Sequence, residues 1–167
     1  SLEKTAFEHP LLKVLFTNSS MVKEEILSNY QIDSKKIHVV HNGVQWTKWG
    51  KAFSNWEEGK LQTAKKYNLN PNLFQLLFVG NGYRRKGLKY LLHSLSRIED
   101  KNFQLVVLGK DKEISYYKRL ACKLSLENQV LFLGEVSSLT PFYQLADCLV
   151  IPSLYDPFAN VTVEALA

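Results

Sequence analysis

The chain has 167 residues, 46% of them hydrophobic and 22% charged, with a formal net charge of +5. This is enough for one domain with a buried core, and the composition excludes a disordered or fibrous chain. No apolar run approaches the roughly 20 residues of a membrane-crossing helix, SLEKTAFEHP is too polar for a secretory signal, and the positive balance suits an anionic ligand or an anionic membrane surface.

In chain order, KVLFT (13–17) and IHVV (37–40) read as strands, with a helix near 19–30 between them. The next stretch, HNGVQWTKWGKAFSNW (41–56), is rich in Gly, Trp, Asn and Lys, has no clean period, and reads as an inter-domain linker. A helix near 57–67 follows, carrying Leu61 and Ala64. Four apolar runs then recur: LFQLLFVG (73–80), FQLVVLG (103–109), VLFLG (130–134) and CLVIP (148–152). Apolar runs without alternation suit strands buried on both faces. Between them the period changes to that of helices: Leu88, Leu91, Leu92, Leu95 and Ile98; Tyr117, Leu120, Ala121 and Leu124; Leu139, Phe142, Tyr143 and Ala146. Alternation of strand and helix predicts an α/β fold, a Rossmann-like parallel sheet with helices on both faces. The expected organisation is the tail of one domain over 1–44, a linker over 45–56, and a second domain, incomplete at its carboxyl end, over 57–167. Cys122 and Cys148 have no metal or redox spacing and read as buried thiols in a reducing cytoplasm. The four histidines form no metal-ligand pattern.

Ligands of an open parallel sheet bind beyond the carboxyl ends of its strands. There, after the first main strand, stands GNGYRRKG (80–87). It is neither G-x-G-x-x-G nor a Walker A loop. It places Arg84, Arg85 and Lys86 at the start of a helix, where cations are unfavourable unless an anion joins them. A solvated basic turn is the other reading, and these residues alone leave the two open. At the end, YDPFANVTVEALA (155–167) holds Asp156 in a turn before Pro157, Asn160 as a plausible helix cap, and Glu164 a turn inside the helix. Glu164 could accept from the vicinal hydroxyls of a ribose; an acid pair supporting the helix dipole is the alternative.

Taken together, GYRRKG, VVLGKDK (106–112), VLFLGEV (130–136) and YDPFANVTVEALA resemble, in order, the donor domain of group 1 retaining glycosyltransferases of the GT-B fold. The pattern is most similar to bacterial lipopolysaccharide core glucosyltransferases. LFTNSSMVKEEILSNY and KKIHVVHNGV resemble the end of that family's acceptor domain. The resemblance implies that Arg85 and Lys86, in the turn that includes Gly82, bind the donor diphosphate. It implies that Asp156 positions the transferred sugar and Glu164 holds the ribose. Phe158, Ala159 and Asn160 match the loop whose backbone meets sugar and phosphate. Val130, Leu131 and the Gly134 turn match the region flanking the base. Lys110 and Asp111 lie on a neighbouring loop without a settled duty. Asn81 stands where many members have Arg, Asp156 where Glu is usual, and Ala159 where Gly is common.

The resemblance further implies a nucleotide-sugar donor, UDP-glucose, with no cofactor and no metal. The acceptor would be a glycan or lipid-linked glycan reached through a missing domain, as in lipopolysaccharide biosynthesis. The setting would be cytoplasmic, with peripheral contact to the inner face of the inner membrane. The family continues beyond EALA, so these residues are expected to be a fragment that does not transfer sugar alone. The competing reading is a nucleotide-binding module without transferase activity. A nucleic-acid binder built on Trp46, Trp49, Trp56, Lys48 and Lys51 is disfavoured because packing explains the tryptophans equally well. The missing G-x-G-x-x-G argues against a dehydrogenase.

Overall fold

Apolar runs become central strands where helices cover both of their faces, and the computed structural model follows that rule. It describes the backbone of residues 1–167 and every side chain except those of Lys48 and Ala52. Packing separates Ser1–Val44, together with Asp156–Asn160, from Gln45–Tyr155 with Val161–Ala167.

The first unit contains α1 (Leu2–Phe7), β1 (Leu15–Thr17), α2 (Ser20–Asn29) and β2 (Ile37–Val39). β1 and β2 pair in parallel, Leu15 opposite Ile37 and Thr17 opposite Val39. α2 begins where Ser19 caps it, the serine Oγ accepting from the Val22 amide at 3.3 Å. Ile26 of α2 and Ile37 of β2 are the buried apolar residues of this unit.

The second unit runs through α3 (Trp46–Phe53), α4 (Trp56–Tyr67), β3 (Phe74–Val79), α5 (Leu88–Ser96), β4 (Phe103–Leu108), α6 (Ile114–Lys123), β5 (Val130–Gly134), α7 (Thr140–Leu145) and β6 (Cys148–Leu149). A last helix, α8 (Asn160–Leu166), ends the chain. The sheet is parallel in the order β5-β4-β3-β6. Side chains alternate faces along a strand. Phe78, Leu105 and Val107 therefore point to one side, where α5 supplies Leu88, Leu91, Leu92 and Leu95 and α6 supplies Tyr117 and Ala121. Leu77, Val106 and Leu108 point to the other, against Ala64 of α4 and Phe142 and Leu145 of α7. The helices change sides because the chain reverses direction across the sheet while crossovers keep one hand. Asp147 ties the return strand down: its carboxylate accepts from the Gln75 amide and from Lys60 Nζ, each at 2.8 Å.

Several expectations change. The stretch read as an inter-domain linker carries α3, followed closely by α4. Trp49 packs edge-on against Tyr143 at 5.3 Å, and Trp56 stacks on Phe53 at 6.1 Å. Two of the three tryptophans thus have packing partners within the fold; the Lys48 side chain lies outside the described residues. Leu61 faces outward at 60% exposure, while Ala64 is buried. The strand read over 148–152 is ordered as ladder only at Cys148–Leu149, an edge strand that ends before Pro152. Both cysteines are free, but exposed rather than buried. Cys122 sits on the outer side of α6, next to inward-facing Ala121, and Cys148 lies on the edge strand. No helix among the described residues is long and apolar enough to cross a membrane.

Candidate functional site

β3 lies between β4 and β6, so the strand order reverses there. A crevice forms at such a switch point, outside the carboxyl ends of the two diverging strands. The sequence puts GNGYRRKG at the end of β3 and the segment 150–155 at the end of β6. The two segments are joined directly. The Leu154 amide donates to the Arg85 carbonyl at 3.0 Å, and Arg85 Nη1 donates to the Tyr155 carbonyl at 3.0 Å. Gly87 lies at φ 76°, and a Cβ there would run into the Pro152 carbonyl, so this close approach requires glycine.

The basic turn is also fastened to the loop after β4. Asn81 Oδ1 accepts from the Lys110 amide at 2.6 Å, and the Gly82 amide donates to the Lys110 carbonyl at 3.2 Å. The Tyr83 amide donates to Asp111 Oδ2 at 2.6 Å, and its hydroxyl donates to the Gly109 carbonyl at 2.7 Å. Tyr83 is fully buried. Burial, and then the Asp111 charge, pushes its phenol up to about 12. The aliphatic stem of Lys86 lies over Gly80 at the end of β3. Next along the same edge, the β4–β5 register slips between Val107 and Leu108, and Gly109 donates to the Gly134 carbonyl at 2.7 Å. A bulge of this kind re-aims backbone at the rim of a sheet. Gly109, Lys110, Asp111, Lys112, Ile114 and Gly134 line an open cavity of about 490 Å³ there. Lys110 is ion-paired with Glu135.

Glu164 is held elsewhere in the same unit. Tyr143 donates its hydroxyl to Glu164 Oε2 at 2.8 Å. Burial first, then this hydrogen bond and the carboxylate charge, drive the Tyr143 phenol strongly upward. With Trp49, Phe53 and Leu149 they line a smaller cavity of about 140 Å³.

Among the residues singled out from sequence, Gly82, Arg85 and Lys86 share one turn at the switch point, and Gly134 lies at the carboxyl edge. Val130 and Leu131 do not. They open β5 at its amino end, opposite Leu105 and Val106, roughly 10–13 Å along the strand from Gly134. Their side chains pack into the two core clusters instead. An apolar run marks the strand, but only its carboxyl end reaches the crevice. Asp156, Phe158, Ala159 and Asn160 pack with the first unit. Phe158 stacks on His41 at 5.6 Å. Asn160 is the first residue of α8 rather than its cap, and its Oδ1 accepts from Asn42 Nδ2 at 2.7 Å.

Sequence reasoning left Asp111 without a role and gave Tyr83, Ile114 and Tyr143 none in the site. Asp111 did carry a local signal, since aspartate commonly bonds the amide two residues on; here Oδ1 accepts from Glu113 at 2.7 Å. The partnership with Tyr83, 28 positions away, had none.

Parallel strands, helices on both faces and a basic turn at the switch point define an open α/β ligand-binding domain. The model of the family described as glycosyl transferases group 1 matches residues 59–167, and the chain belongs to that family. It is 33% identical to an uncharacterized glycosyltransferase, MJ1607, of Methanocaldococcus jannaschii, over 92% of this chain and 40% of that protein. In structure it is similar to WaaG, a glycosyltransferase involved in lipopolysaccharide biosynthesis, with a TM-score of 0.86, 21% identity, and coverage of 98% of this chain and 44% of WaaG. It is also similar to Anabaena HepE, crystallised with UDP-glucose, at a TM-score of 0.75 and 18% identity, over 92% of this chain and 42% of HepE. These likenesses are to glycosyltransferase domains of the GT-B fold. The chain spans about two-fifths of the length of the relatives it matches.

Proposed function

We propose that this chain supplies the donor-nucleotide half of a retaining hexosyltransferase, and that the donor is UDP-glucose. The observation that carries the reading is the Arg85–Lys86 turn, fastened at the sheet's switch point in a chain of the group 1 family. Two cations held over a strand end suit a diphosphate. In transfer, the bond from the sugar's anomeric carbon to the diphosphate oxygen breaks, its electron pair leaves with the diphosphate, and the carbon bonds instead to an acceptor hydroxyl oxygen, whose proton is released. Arg85 and Lys86 are then placed where negative charge grows, and such preorganised charge is often the largest catalytic contribution. By the same reading Glu164, oriented by Tyr143, accepts from the ribose hydroxyls. Asp156 and the backbone of Phe158, Ala159 and Asn160 position the sugar. The base is assigned to the rim at Gly109, Ile114 and Gly134. The acceptor is a glycan or lipid-linked glycan, and its handling falls to parts of the longer relatives not represented here. The 167 residues alone are therefore expected to bind donor without transferring sugar.

Calorimetric titration of UDP, GDP and ADP into the chain tests this. One of them, expected to be UDP, should bind, and Lys86→Ala should weaken it at least about tenfold, the scale of a lost charge-assisted contact. Absence of binding by all three would overturn the reading. In the longer enzyme, Lys86→Ala should abolish sugar transfer; a wild-type protein that binds nucleotide but never transfers sugar would favour a binding module instead.

A further inference from the structure

Asp111 is an acid placed next to a turn of three cations, yet its geometry is not that of a ligand-binding group. Both of its oxygens are engaged by backbone: Oδ2 accepts from the Tyr83 amide at 2.6 Å, and Oδ1 from the Glu113 amide at 2.7 Å. One bond reaches the loop after β3 and the other the start of α6. The carboxylate therefore joins two loops that lie side by side at the carboxyl edge. Neighbouring bonds follow the same seam, Asn81 to the Lys110 amide and the Tyr83 hydroxyl to Gly109. Tyr83 is the residue immediately before Arg84, Arg85 and Lys86. The turn closes on it, with Leu88 donating to the Tyr83 carbonyl at 3.0 Å and Lys86 to the Gly82 carbonyl at 3.1 Å. Fixing the Tyr83 amide thus fixes the height from which the two donor-site cations project.

A carboxylate suits this position for two reasons. It accepts from two amides at once, which an amide side chain cannot do with both of its heavy atoms. It also carries a negative charge beside a turn of three cations, whose mutual repulsion a neutral acceptor would not reduce.

We propose that Asp111 is a positioning residue of the donor site: by clamping the Tyr83 and Glu113 amides, it sets the affinity of the Arg85–Lys86 turn for diphosphate without touching the diphosphate. This rests on the reading of that turn as the diphosphate site. It implies a selective effect. Variants at 111 weaken what the turn binds more than what the neighbouring rim binds, although Asp111 itself borders that rim.

The test is titration of UDP and of uridine into the full chain, for wild type, Asp111→Asn and Asp111→Ala, with thermal melts confirming that each is folded. If GDP or ADP proves the better ligand, it and its nucleoside replace the uridine pair. Asp111→Asn keeps one acceptor and should weaken the diphosphate about three- to tenfold; Asp111→Ala keeps none and should weaken it about thirtyfold, with nucleoside affinity falling several-fold less than diphosphate affinity in both. Faster exchange of the Tyr83 amide in the variants would accompany this. Wild-type diphosphate affinity in folded variants overturns the proposal and leaves the site reading intact. Equal loss of diphosphate and nucleoside also overturns it, since that is a structural collapse. If wild type binds none of the diphosphates, the site reading itself fails, and the proposal with it.

Discussion

Tyr83 shows how much one side chain can organise. Its ring is buried among Phe78 and Tyr117, its amide meets Asp111 and its hydroxyl meets Gly109. Tyr83→Phe keeps the packing but leaves the Gly109 carbonyl without this donor. It should lower stability by about 1–2 kcal/mol in urea unfolding. Alkaline pH tests the same residue. Its phenol is raised to about 12, above the ordinary 10.0, so the folded state holds its proton more tightly than the unfolded chain does. That stability is fully present below pH 10 and is lost as pH rises from 10 to about 12. Tyr143 and Tyr117 are shifted in the same direction and add to the loss. Melting temperature should fall steeply over that window, and less steeply in Tyr83→Phe. The sequence marked position 83 only as a member of a glycine-rich basic turn.

At the level of elements, α5 is the best-specified piece. Leu88, Leu91, Leu92 and Leu95 all face one core cluster, as their spacing demands. Leu92 is fully buried, and Leu92→Ala should cost about 2–5 kcal/mol by emptying space between α5 and the sheet. The junction before α5 depends on Gly87 instead. Gly87→Ala combines a left-handed backbone with collision against Pro152, and should cost more than about 2 kcal/mol and loosen the basic turn. Denaturant unfolding with nucleotide titration would separate the two: Leu92→Ala should lose stability alone, and Gly87→Ala stability and diphosphate affinity together. α3 was missed although Trp46, Trp49 and Phe53 stand at helical spacing. Gly50 and the flanking Asn residues pointed to a break, and it is contact of Trp49 with Tyr143 that favours the helix. Tertiary packing of this kind routinely outweighs local propensity.

For the whole molecule, charge sets a further expectation. The chain carries +5, and Arg85 is exposed at the proposed site. Nucleoside diphosphate affinity should therefore fall at least about threefold between roughly 0.05 and 0.5 M salt, as screening shortens the reach of exposed charges. A salt-independent affinity would place the ligand away from the basic turn. The two strands before residue 44 were visible in the sequence. That Asp156–Asn160 would pack with the earlier unit was not, because such packing links positions more than a hundred residues apart.

Periodicity alone was enough for the α/β class, for the order of strands along the chain and for the inward faces of α5 and α6, because burial of an apolar stripe is a local property of residue spacing. Resemblance added the family. Neither could rank Asp111 above its neighbours, or separate Gly134 from Val130 within one apolar run. Those distinctions depend on which end of a strand meets the crevice and on hydrogen bonds that close only when loops distant in the chain are brought edge to edge.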